Sequence, residues 1–429
     1  MTNEVVWKSL NISPKELTLS KVLRCGQAFR WRFINDTWSC TIQNRVLFLK
    51  QDTTQNKIHY CSIPNLKDTE NIVKDYFQLH VNLTDLYLEW CTKDDLFTKN
   101  ATNFEGVRML RQQPWENLIS FICSTNNNVK RISKMCESLC VNYGTLINVP
   151  ESMSDHTGVK LEMPADPLPY YTFPLPDSLA SPSVEQELRQ LGFGYRAKFI
   201  QQTAAMVNKD PVLLEKLTLS SASTSSSETS AASESEKQQL REMPYDECKE
   251  FLLQFKGVGP KVADCVALMS LDKHDIVPVD THVYQIALRD YKFRSKAKSK
   301  AKGKARGGSK VKETGTISKE LYSEIQSFFK DLWGEYAGWA HSVLFAADLK
   351  DLNNGINDTT GSDDLKKGPQ KKRKLVEPKK KDIPIDKVKE EGDQIPMSDS
   401  QIRRQERLYK RLMRQQEAVA VSTIDIKKE

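Results

Sequence analysis

Phe255 to Tyr291 reads FKGVGPKVADCVALMSLDKHDIVPVDTHVYQIALRDY, and the fold turns on its opening residues. Just upstream, Tyr245 to Leu253 sets Tyr245, Cys248, Phe251 and Leu252 on one apolar face, which predicts a first helix. Gly257 and Gly259 then interrupt it, as residues able to take φ > 0 at little steric cost. Pro260 suits the first turn of a second helix, where its missing N–H costs nothing. Val262, Val266 and Met269 carry that helix along one face. Two helices joined by a Gly-x-Gly hairpin leave backbone N–H groups pointing outward, and these favour a phosphate. By itself the hairpin fits a plain helical turn as well as a DNA-binding one.

Lys261 shifts that balance. The helix dipole opposes a cation at an N-terminus, so the position predicts a lowered pKa and an amine available as a nucleophile. Cys265, four residues on, shares its face. Asp280 follows Lys261 by nineteen residues, in Pro278-Val279-Asp280-Thr281-His282. It has the residue type of an N-cap for a helix running on to Tyr291. Capping accounts for Asp280 without any chemistry, but it also fixes a carboxylate in place, so both roles can hold.

These residues resemble the helix-hairpin-helix, Gly/Pro-rich loop and aspartate motif of a DNA glycosylase superfamily. Within it, GVGPKVADC and VPVDTH are most similar to the eukaryotic 8-oxoguanine DNA glycosylase family. The resemblance covers roughly residues 15–350, apart from two insertions.

A chain of 429 residues implies at least two domains with linkers. The net charge of +7 is modest, but the basic residues cluster, which favours an anionic partner. Nine cysteines lie scattered without paired spacing, as in a reduced intracellular protein. No apolar run is long enough to span a membrane, and MTNEVVWKSL does not read as a signal peptide.

The expected fold is α+β, an N-terminal antiparallel sheet domain (1–105) and a mostly helical helix-hairpin-helix catalytic domain (106–352). From Ala28 to Ile63 the chain alternates as strands. Phe29 to Phe33, Trp38 to Ile42, Val46 to Lys50 and Lys57 to Ile63 predict a sheet with one wet face. Gly26, just before it in Cys25-Gly26-Gln27-Ala28-Phe29-Arg30-Trp31, reads as an ordinary turn glycine. The resemblance implies that its carbonyl accepts the N7 proton that 8-oxoguanine has and guanine lacks. An acceptor facing another acceptor would be costly, so one hydrogen bond discriminates.

Asp68 to Trp90 reads as helix. Asn126-Asn127-Asn128 lowers helix propensity within an apolar pattern, so a helix end or polar contact surface is expected there. By resemblance Asn126 fills the gap left by a flipped nucleotide and Arg131 contacts the opposite cytosine; from the residue alone, Arg131 is a solvated cation. Val149 to Pro182 reads as a long loop. Two helical pieces between Val184 and Asn208 flank Gly192-Phe193-Gly194-Tyr195-Arg196. Tyr195 alone reads as a packed tyrosine; the resemblance implies that it wedges into the base stack while Arg196 reads the unpaired cytosine.

Leu219 to Glu236, almost all Ser, Thr, Ala and Glu, reads as a disordered insertion (about 219–237). Lys292 to Lys312 is a basic insertion (about 292–313), either a solvated linker or a phosphate-binding arm. In Tyr336 to Phe345 the resemblance implies that Phe345 stacks on the flipped base. There His341 stands in place of the family's glutamine, and a neutral imidazole offers fewer contacts than an amide. The remainder, 353–429, reads as a basic tail. Lys371-Lys372-Arg373-Lys374 resembles a nuclear import signal, so a nuclear location is expected, with the mitochondrion as alternative; Ser398 to Val421 reads as a basic helix, and a plain solvated tail is the alternative for both.

Together the resemblance implies a monomeric DNA glycosylase and lyase excising 8-oxoguanine, and formamidopyrimidine-guanine, from double-stranded DNA opposite cytosine. The base would stack between Phe345 and the Cys265 side, with Met269 in the same pocket. Lys261 would attack C1′ to give a Schiff base, Asp280 would stabilise charge on the sugar, and His282 would contact a phosphate. No metal or organic cofactor is implied, although the hairpin's carbonyls suit a monovalent cation. Two alternatives remain: a glycosylase for another oxidised base or for adenine mispairs, and a non-catalytic helix-hairpin-helix DNA-binding protein. The first often carries an iron–sulfur cluster on cysteines after the motif, a region that has none here. Retention of both Lys261 and Asp280 opposes the second.

Overall fold

Five strands organise the N-terminal part of the chain: β1 (Lys8–Asn11), β2 (Arg32–Ile34), β3 (Thr37–Ile42), β4 (Arg45–Asp52) and β5 (Lys57–Ile63). In the computed structural model, which describes residues 7–149, 153–154, 160–161, 169–218, 240–295 and 317–349, they form one antiparallel sheet in the order β1-β5-β4-β3-β2. Its register sets Trp38 opposite Leu49 and Phe48 opposite Cys61.

Two expectations for this sheet are corrected. The strand expected from Phe29 starts only at Arg32. Phe29 instead packs edge-on against Phe121, 5.7 Å between ring centroids, and Arg30 forks onto Glu116 at 2.7 and 2.6 Å. Nor is one face wet. Trp38, Leu47 and Leu49 join one apolar cluster, while Val46, Phe48 and Cys61 pack in another beneath Tyr170. Tyr170 arrives from a segment more than a hundred residues later, so alternation within the strands could not reveal the cover.

Four helices accompany the sheet: α1 (Leu19–Val22), α2 (Thr69–Tyr76), α3 (Leu83–Lys93) and α4 (Asp95–Ala101). The single helix expected over Asp68 to Trp90 is two, broken around Gln78 at φ 49. The helical part continues with α5 (Pro114–Ser124), α6 (Val129–Tyr143), α7 (Pro176–Ala180), α8 (Pro182–Gln190), α9 (Arg196–Lys209) and α10 (Pro211–Thr218). It closes with α11 (Tyr245–Leu253), α12 (Pro260–Ser270), α13 (Thr281–Arg289), α14 (Lys319–Trp333) and α15 (Ala337–Asp348).

The apolar faces of α3 to α15 share one core, while α1 and α2 pack with the sheet. α5 is buried from Pro114 to Cys123 apart from Glu116, and it packs against α12, with Asn117 Nδ2 donating to Ser270 Oγ at 2.7 Å. Buried arginines fasten this core to the sheet side. Arg108 donates to the carbonyls of Glu16, Gln78 and Val81 at 2.9, 2.6 and 2.8 Å, satisfying a cation that would otherwise be costly to bury.

The insertion at Leu219 to Glu236 lies outside the described residues, as do all but the first four residues of Lys292 to Lys312. So does the tail from residue 350, including Lys371 to Lys374 and Ser398 to Val421.

Candidate active site

The hairpin forms as its glycines and proline dictate. α11 ends at Leu253, Pro260 opens α12, and Gly257 adopts φ +81, a conformation that L side chains rarely take. A Cβ on Gly257 would also strike the Phe199 ring at 2.6 Å. Gly259 departs from expectation: it caps α12 at φ -101, ψ -179, extended backbone open to any residue, and a Cβ there would meet nothing within 4 Å.

Lys261 lies in the first turn of α12, half-buried, with Nζ 5.1 Å from the centroid of the Phe121 ring. Burial favours its neutral amine, but Cys265, to which it hydrogen-bonds, and the Asp280 carboxylate favour the ammonium more strongly. The amine is therefore held above the ordinary lysine value, opposite to the direction that the helix dipole predicts. Cys265 is pushed up to about 11, chiefly by burial, and is a thiol at neutral pH. Asp280 caps α13, its Oδ1 accepting from the N–H groups of His282 and Val283 at 2.9 and 3.0 Å.

A second group of predicted residues gathers around Phe345. Gly26, at φ +84, comes so close that a Cβ would lie 3.4 Å from Phe345 Cε1. The His341 ring is 6.0 Å from Phe345 and tilted, and the exposed His282 ring meets it edge-on, also at 6.0 Å. His282 Nδ1 lies 3.7 Å from the Asp348 carboxylate. His341 is 8% exposed, and neither ring nitrogen has a hydrogen-bond partner among the described residues. Burial pushes its pKa down to about 4, with Asp280 opposing and Lys261 assisting. The imidazole is thus neutral at pH 6–7 and offers one donor and one acceptor.

One residue in this group carried no role in the sequence reading. Gln27 is buried, and its side chain donates to the Arg108 carbonyl at 3.1 Å and accepts from Leu110 N at 2.9 Å. Its own carbonyl accepts from Gln112 Nε2 at 2.9 Å, and Gln112 N donates to the carbonyl of buried Met269 at 2.7 Å. Gln27 thereby anchors the Gly26 turn to the far end of α12. Its signal was a long polar side chain between a turn glycine and an apolar run.

The DNA-facing candidates form a third group. The asparagine triplet does separate two helices: α5 ends at Ser124, and Asn128 caps α6 by accepting from Arg131 N at 3.0 Å. Asn126, at φ 48, is exposed. Tyr195 is 45% exposed and donates to the Thr125 carbonyl at 3.0 Å, and exposed Arg131 donates to the Gly192 carbonyl at 3.2 Å. Arg196 is buried beside the Tyr195 ring, bonded to the carbonyls of Thr125 and Asn126. Its Nε has no partner among the described residues. The guanidinium thus braces the Asn126 loop. The three groups comprise an amine and a capping carboxylate, a Phe345–His341 cluster with ring nitrogens unpartnered among the described residues, and an exposed tyrosine ring near two arginines.

Residues 9–118 match the N-terminal domain model of 8-oxoguanine DNA glycosylase, and 119–312 match the HhH-GPD superfamily of base excision DNA repair proteins. The N-glycosylase/DNA lyase of Saccharomyces cerevisiae is 34% identical over 83% of this chain and 89% of its own length. The N-glycosylase/DNA lyase OGG1 of Arabidopsis thaliana is 33% identical over 80% of each. The solved structure of MBOgg1 in complex with a low affinity DNA ligand matches with a TM-score of 0.59 at 26% identity, covering 81% of this chain and 98% of that one. With these two relatives matching over most of both lengths, and the sheet, the hairpin, Lys261 and Asp280 all present, the chain belongs to the 8-oxoguanine DNA glycosylase family of N-glycosylase/DNA lyases.

Proposed function

We propose that this chain excises 8-oxoguanine opposite cytosine from duplex DNA and then cleaves the strand, with Lys261 as nucleophile. The observation that carries the reading is the Lys261 amine in the first turn of α12, under the electrostatic influence of Asp280, which caps α13. The wedge at Tyr195 opens the stack, and the extruded base stacks between Phe345 and the Cys265 side, its N7–H toward the Gly26 carbonyl and its edge toward His341. Arg131 and Arg196, freed from loop carbonyls, take the estranged cytosine, and backbone N–H groups near Gly257 and Gly259 hold a phosphate.

Chemistry then needs the neutral amine. Lys261 gives up a proton and its Nζ attacks C1′. The glycosidic bond breaks with its electron pair leaving on the base, which takes up a proton, and Asp280 stabilises positive charge developing on the sugar. The C1′–N adduct opens to a Schiff base; loss of a C2′ proton then expels the 3′ phosphate, and hydrolysis returns the amine. One chain supplies every residue used, which supports action as a monomer, and Lys371 to Lys374 support a nuclear location. Single-turnover excision over a panel of duplexes tests the reading. 8-Oxoguanine opposite cytosine is released fastest, while unmodified guanine and 8-oxoguanine opposite adenine are released at least about tenfold more slowly, as one lost hydrogen bond to a buried group allows. Equal rates across the panel would overturn it.

A further inference from the structure

The helix that carries Lys261 holds a second acid, which the chemistry above does not use. Asp264 on α12 is fully buried. Its carboxylate accepts from the Tyr245 hydroxyl at 2.8 Å, the Tyr322 hydroxyl at 2.5 Å and Gln326 Nε2 at 3.0 Å, and it pairs with Lys249 at 3.1 Å. Burying an acid with four partners brings no assured gain in stability, because well-packed apolar groups of similar volume often do as well. What it does provide is directional geometry.

Two of those donors reach further. While it donates to Asp264, the Tyr322 hydroxyl accepts from the backbone N–H of Val279 at 3.2 Å. The Gln326 amide nitrogen also donates to the Val277 carbonyl at 3.1 Å. Val279 is the residue before Asp280. One carboxylate is therefore tied, through a single hydroxyl, to the backbone that delivers Asp280, and it sits three residues along the helix from Lys261. Lys261 and Asp280 come from separate elements, so some contact must set their spacing. We propose that Asp264, acting through Tyr322 and Gln326, is a positioning residue that fixes the Lys261 amine relative to the Asp280 carboxylate. This rests on the roles given to those two residues under the proposed function.

Tyr322→Phe in the full chain removes the bridging hydroxyl and keeps the ring. Three measurements read the result: amide exchange at Val279, single-turnover excision of 8-oxoguanine opposite cytosine, and affinity for a duplex carrying a tetrahydrofuran abasic analogue. The expected result is exchange at Val279 faster by about tenfold or more and excision slower by about 10- to 100-fold, the scale of an ångström-sized misplacement. Affinity stays within about twofold. Tyr60→Phe deletes a comparable phenol–carboxylate bond, from β5 to Glu70 of α2 at 2.8 Å, and leaves the rate unchanged whatever it does to Tm. Gln326→Met tests the same tie from its other arm, so a Tyr322 variant that fails to fold does not end the test. Unchanged Val279 exchange, or unchanged excision in a folded variant, would overturn the positioning role, as would an equal rate loss in Tyr60→Phe. If the unmodified chain fails to excise the lesion, the functional reading falls, while exchange at Val279 still decides whether the tie exists.

Discussion

At Lys261, burial and two neighbouring groups pull the amine's proton affinity in opposite directions. The helix dipole alone argues for a lowered pKa, and burial acts the same way. Cys265 and Asp280, both brought close by folding, reverse the outcome. The excision rate should therefore rise with pH above neutrality, as the ammonium gives way to amine. Asp280→Asn removes a charge that raises the Lys261 pKa while keeping a side chain able to cap α13. That variant should move the pH–rate profile to lower pH and lower its maximum by about tenfold or more, the range seen when a transition-state charge partner is lost; a profile shifted to higher pH would show that Asp280 does not act on the amine. At His341 burial decides the outcome. At its ordinary value it would titrate in excision near pH 6 to 7, but burial places it at about 4. Excision profiles of the unmodified chain and His341→Gln should thus have the same pH dependence from pH 6 to 7, whatever their absolute rates. Stability behaves otherwise. The unfolded chain binds a proton at His341 near 6.5 and the folded chain only near 4, so the folded state loses stability as pH falls through that window, by about 3 kcal/mol at its acid end. His341→Gln should flatten this slope in urea titrations at pH 4–6.5, leaving the part due to His274, also pushed down to about 4 by burial. An unaltered slope would show that His341 is not buried neutral.

At the scale of elements, the hairpin was legible and its details were not. Tyr245 to Leu253, Pro260 and the capping aspartate all stand where the sequence placed them, because propensity, proline and cap chemistry are local. Which glycine the hairpin needs was not local. Gly257 has both the left-handed φ and the Phe199 ring against it, and Phe199 belongs to α9, far back in the chain. Gly257→Ala should cost about 2–4 kcal/mol from strain plus overpacking, whereas Gly259→Ala should change stability by less than about 1 kcal/mol. Equal losses in urea unfolding would contradict this division. The strands tell the same story. Trp38 to Ile42 and Lys57 to Ile63 were readable from alternation, but Phe29 and Arg30 left the strand for partners on α5, and Tyr170 covers a face that alternation left open.

In the molecule as a whole, the site exists only because distant segments meet. Gly26 comes from the sheet side, Lys261 from the hairpin, Asp280 from the cap of α13, and Phe345 and His341 from the last helix. Each was nameable from its motif and the family resemblance; the contacts that assemble them were not. Gln27 joins the Gly26 turn to Arg108 and, through Gln112, to the end of α12, and the Asp264 network joins α12 to the run before Asp280. Such buried polar contacts leave no periodic trace in sequence, since each is a single residue whose partner lies tens of residues away. The central claim, that this assembled Lys261 is the nucleophile, is met most directly by borohydride trapping on a duplex with 8-oxoguanine opposite cytosine, followed by mass mapping of the cross-linked peptide. The account predicts a single adduct at Lys261, absent from Lys261→Gln although that variant still binds the lesion duplex. An adduct at another lysine, or normal excision by Lys261→Gln, would contradict it.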